Sequence, residues 1–67
     1  MQKNATLRGI PVVVTSEPRR IAGGEVVTVE WAQDSTDPSV QLPDGSVHPA
    51  HRKGFSWEEP VANLAFA

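Results

Sequence analysis

The stretch Glu25-Val26-Val27-Thr28-Val29-Glu30-Trp31-Ala32-Gln33 decides how this chain reads. Its β-branched side chains are stiff at χ1 and suit a pleated surface. Alternation puts Val27, Val29 and Trp31 on one face and Val26, Thr28 and Glu30 on the other, the period of a half-buried strand. The first face is the expected core. Upstream, Ile10 to Thr15 reads as a second strand with Ile10, Val12 and Val14 pointing inward. Pro11 cannot donate to a ladder, so this strand is expected at an edge or beginning near Pro11. Ser16 to Gly24, with Pro18 and the Gly23-Gly24 pair, reads as a loop ending in a sharp turn. It is too short for a parallel crossover, so the two strands should be antiparallel.

Downstream, Asp34 to Ser39 has a turn former at nearly every position. Val40-Gln41-Leu42 and Ser46-Val47-His48 flank Pro43-Asp44-Gly45 and read as a hairpin with Leu42 and Val47 facing the core. Pro49 to Gly54 breaks the pattern, and Phe55 and Trp57 then return large apolar area that is expected to close the core. Ser56 with Glu59 fits a capping box and Pro60 suits a first turn, so one short helical turn is expected near Ser56–Pro60. Val61 to Phe66 fits a continuing helix or a last strand equally well.

These segments predict one mostly β domain over residues 1–67: a small antiparallel sheet or an SH3-like barrel of four to five short strands, with residues 1–6 a flexible or edge segment. The alternation of short strands and turns, with one helical turn near the end, resembles SH3-like and other small barrels, in which a turn of helix often precedes the last strand. The resemblance is one of architecture and carries no motif.

A chain of 67 residues buries only about 60% of the surface its unfolded form exposes. The absence of Cys excludes disulfide staples and thiolate zinc sites. Oligomerisation is therefore one expected source of extra burial, and a homo-oligomer is an expected partner state. Six Lys and Arg against eight Asp and Glu give a formal charge of −2, which argues against a strong general affinity for nucleic-acid backbones. No apolar run approaches the ~20 residues that span a membrane, and no signal-type segment opens the chain, so a soluble cytoplasmic protein without membrane contact is expected.

Three clusters carry candidate chemistry. His48 and His51, with Asp44 close in sequence, have residue types that ligate zinc, but two imidazoles separated by two residues lack a third ligand at a diagnostic spacing. His51-Arg52-Lys53-Gly54-Phe55-Ser56-Trp57 mixes cations with rings, the combination that contacts phosphates and stacks bases. The competing view makes Phe55 and Trp57 core residues and Arg52 and Lys53 a solvated loop. Arg19-Arg20 is a second basic pair that could join the first. Nucleotide-binding glycine patterns and a nucleophile elbow are absent, and so small a domain lacks room for a substrate cleft. The expectation is a non-enzymatic protein-binding module without cofactor, acting as an inhibitor, adaptor or accessory subunit of the kind encoded by phages and mobile elements. Its expected contact residues are Arg19, Arg20, His48, His51, Arg52 and Lys53. The alternatives are a nucleic-acid-binding barrel using Arg19, Arg20, Arg52, Lys53 and an exposed ring, and a metal protein built on His48 and His51.

Overall fold

A computed structural model describes residues 3–66, and among them every regular element is a β-strand or a single 3-10 turn. The strands are β1 (Lys3–Leu7), β2 (Ile10–Val14), β3 (Arg19–Ile21), β4 (Gly24–Trp31), β5 (Ser56–Pro60) and β6 (Leu64–Phe66). All neighbours are antiparallel, in a curled half-barrel. β4 is the hub. Val26 lies opposite both Arg19 and Pro60, and Val29 opposite both Val14 and Trp57, so β3 and β2 share one edge of β4 while β5 takes the other. β2 continues to β1 and β1 to β6.

Residues Lys3–Leu7 thus form an inner strand, correcting the expectation of a flexible or edge segment; residues 1 and 2 lie outside the described ones. The turn that makes this strand possible is Arg8-Gly9, where both residues have positive φ (51° and 83°). That is the primed geometry whose twist matches two paired strands. Pro11 is not at an edge. β2 begins at Ile10, one of the two expected outcomes, so Pro11 is its second residue, and the carbonyl of Pro11 accepts the Ala32 N–H (3.2 Å) just past the end of β4.

The expected helical turn at Ser56–Pro60 is instead β5. A free edge tolerates Pro60, and pairing along five residues of β4 outweighs a local capping pattern. A 3-10 turn falls one step later, at Val61–Asn63, and leads into β6, which settles the open reading of Val61 to Phe66. A helical turn before the last strand is the feature anticipated for the barrel. The loop expected between the two valine strands holds β3, so Arg19 and Arg20 sit on a strand.

The core is wholly aliphatic: Ala5, Leu7, Val12, Val14, Val27 and Val29 pack together on the concave face, with Val29 fully inaccessible. Fully burying a Val or Leu contributes about 1.5–3 kcal/mol, and these six are the main source of stability. Val26 is also buried, although it faces the convex side. The ion pair between Arg19 on β3 and Glu58 on β5 crosses β4 beside it. Several apolar residues expected in the core are not there. Ile10, at the mouth of the β1–β2 turn, is 42% exposed, and Leu42 and Val47 are only half-buried. Those two belong to a minimal hairpin outside the sheet, reduced to one bridge between Gln41 and Val47, with Asp44 Oδ1 accepting from the Ser46 N–H (2.9 Å) to hold its tip.

Candidate binding surface

The rings gather at the edge of the aliphatic floor, Trp31 and Trp57 packing against it. Trp31 ends β4, Trp57 sits opposite Val29 on β5, and Phe55 immediately precedes β5, so strand pairing alone brings all three to one end of the half-barrel. Phe55 stacks on Trp57 (centroids 6.1 Å, 26°), Trp57 meets Trp31 (4.4 Å, 46°), and Trp31 stacks on His51 (6.1 Å, 21°). His48 adds an edge contact to His51 (6.1 Å, 71°). The result is a continuous strip of five rings. Trp31, Trp57 and His51 are half-buried, and Phe55 is 43% exposed. Phe55 and Trp57 therefore do not close the core as expected. Trp57 packs against its margin, and Phe55 remains at the surface.

Both indole N–H groups are already used. Trp31 Nε1 donates to the carbonyl of Ala50 (2.8 Å), and Trp57 Nε1 donates to Glu59 Oε1 (2.8 Å). Glu59 also accepts from the Asn63 amide through Oε2 (2.8 Å), so one carboxylate ties β5 to the Val61–Asn63 turn. The Asn63 bond foremost, then that of Trp57, with Arg8 nearby, holds the Glu59 carboxyl below its ordinary value against the opposing effect of burial. The strip consequently offers ring faces and no indole donors.

The six residues expected at the contact surface separate into two groups. His48, His51, Arg52 and Lys53 lie at the aromatic end, where the Gly54 N–H donates to the carbonyl of Trp31 (3.0 Å). Arg52 is partly committed, its Nε donating to the carbonyl of Val47 (2.7 Å), and Asp34 Oδ1 accepts the backbone N–H of Lys53 (2.7 Å). Arg19 and Arg20 stand opposite Val26 and Glu25, roughly 16 Å further along β4 at 3.3 Å per residue. Arg19 is paired with Glu58. The two basic pairs therefore do not join into one patch.

His48 and His51 do come together, but among the described residues no group of three His, Cys, Asp or Glu converges on a common point. His48 Nδ1 instead accepts the Ala50 N–H (3.1 Å) and caps the 3-10 turn Pro49–His51. The residue that sequence reasoning missed is Trp31, assigned to the core on alternation alone. Its position three residues before the Asp34–Ser39 turn region, close to the end of the strand, was the available signal, because a strand's final side chain need not be covered. No described helix is long and apolar enough to cross a membrane. No protein-family model, curated protein or solved structure matches this chain.

Proposed function

We propose that this chain is a non-enzymatic protein-binding module whose contact surface is the aromatic strip Phe55, Trp57, Trp31 and His51, with Lys53 and Arg52 on its rim. One observation carries this reading. In a chain with four Phe and Trp residues, three form a connected, part-exposed strip while the core is entirely aliphatic. Aromatic side chains with flanking Arg are the usual anchors of protein interfaces, and they bind by excluding water from ring faces. A partner on such a surface would make the chain an inhibitor, adaptor or accessory subunit.

The nucleic-acid reading draws on the same rings together with Arg52 and Lys53. The distance to Arg19 and Arg20 and the net charge of −2 weigh against it. The deciding experiment is cross-linked capture from the native host with wild-type chain, Phe55→Ala and Arg20→Ala, beside an oligonucleotide titration at low salt. The expected result is a protein retained by wild type and Arg20→Ala, lost with Phe55→Ala, and no oligonucleotide binding. Oligonucleotide binding that falls steeply with salt and disappears in Phe55→Ala would replace the protein-binding reading with the nucleic-acid one.

A further inference from the structure

We propose that the His48 imidazole is an acid-released latch that holds the Pro49–His51 turn against Trp31. The 24 residues between β4 and β5, numbers 32–55, contain no strand, and few bonds fasten this segment to the sheet. The Pro49–His51 turn supplies one of these bonds to the sheet and two more that tie the segment to itself. The Ala50 carbonyl accepts from Trp31 Nε1 (2.8 Å), the His51 carbonyl accepts from the Ser35 N–H (3.0 Å), and the His48 N–H donates to the Val40 carbonyl (2.9 Å). The conformation that presents these groups is fixed from inside by three bonds: the His51 N–H to the His48 carbonyl (2.8 Å), the Ala50 N–H to His48 Nδ1 (3.1 Å) and the Arg52 N–H to the Pro49 carbonyl (3.3 Å).

The second bond exists only while Nδ1 carries a lone pair. Protonation turns that acceptor into a donor facing another donor, and the cap becomes a repulsion. Imidazole is the side chain whose protonation falls between about pH 5 and 8. The basic groups beside the latch are Arg52, which follows the turn directly, and His51, whose ring lies 6.1 Å from that of His48. Asp37 faces His51 and Asp44 faces Arg52; both carboxylates also bond turn groups, at Ser39 and Ser46 respectively. Their oxygens are committed to these serines, and neither supplies the acceptor that Ala50 loses. Acid should therefore free the turn and release the Trp31 indole, whatever binds the aromatic strip.

The test is protection of the two indole N–H groups from solvent exchange, read by NMR at pH 7.5 and pH 5.0 and normalised to free indole at each pH. Trp31 should lose about fivefold of its protection at the lower pH, the equilibrium counterpart of one lost cap. Trp57 should not change, because Glu59 remains ionised there. His48→Asn keeps a capping oxygen that does not titrate, so its Trp31 protection should be independent of pH. His51→Phe keeps a ring against Trp31 and should retain the wild-type response. Equal Trp31 protection at both pH values in the wild type, or the same loss in His48→Asn, overturns the proposal.

Discussion

Val29 and Trp31 stand two residues apart on β4 and point to the same face, yet one is wholly inaccessible and the other is half-exposed. What separates them is coverage. At Val29 the strand has β2 on one side and β5 on the other, and Leu7 and Ala5 fill the curve above it. At Trp31 the sheet is ending, and only a loop held by single hydrogen bonds lies beyond. A side chain of regular shape suits the first position, where neighbours are fixed by ladders. A large flat ring suits the second, because it can cover the rim of the core and still present a face to solvent. The comparison teaches that in so small a sheet the position along the strand, and not hydrophobicity alone, decides whether a side chain holds the fold or remains available for contact.

The most damaging way to test this division is to cut into the floor. Leu7→Ala should cost about 3 kcal/mol by urea unfolding, a large part of the roughly 3–10 kcal/mol expected for a domain of this size. A loss below about 1 kcal/mol would mean that the floor is not the seat of stability. Glu59, at the boundary of the two regions, comes next. Glu59→Ala leaves the Trp57 and Asn63 donors without their acceptor and should cost about 1–2 kcal/mol. Its carboxyl is held down in the folded state, so its contribution is present above the unfolded carboxyl value of about 4.3 and fades as pH falls below it. Stability of the variant, measured by thermal melts from pH 6 to pH 3, should accordingly fall less steeply than that of the wild type.

At the aromatic end the effects on stability shrink. Phe55→Ala should change unfolding free energy by under about 1 kcal/mol, since the ring is already 43% exposed, while abolishing partner capture. A cost comparable to that of Leu7→Ala would move the strip into the core and remove the basis for the proposed function. The smallest effect belongs to the convex side. Arg19 and Glu58 are each more than half-exposed, so screening their ion pair with salt should shift the melting midpoint by no more than the equivalent of about 0.5 kcal/mol.

The same distinction explains which parts of the fold could be read in advance. The valine strands were legible because β-branched alternation survives any context, and Val12, Val14, Val27 and Val29 all reach the floor. β1 was not, although Ala5 and Leu7 alternate with Asn4 and Thr6. Its turn uses Arg8 where Asn or Asp is the usual signal for positive φ, so the sequence hides the hairpin. Ser56 to Pro60 carried a local helix-start pattern that non-local pairing with β4 overrode. At the candidate surface, His48, His51, Arg52 and Lys53 were placed near one another by their closeness in sequence. Their separation from Arg19 and Arg20 depended on how β3 aligns with β4, which composition does not encode.

The pair of indoles has one more consequence. With their centroids 4.4 Å apart at a 46° tilt, Trp31 and Trp57 are close enough for their excited states to mix. The far-ultraviolet dichroism of this protein should therefore carry a signed couplet from the two chromophores on top of the strand signal. Loss of that couplet would report rearrangement at this end of the molecule while the amide spectrum stayed unchanged.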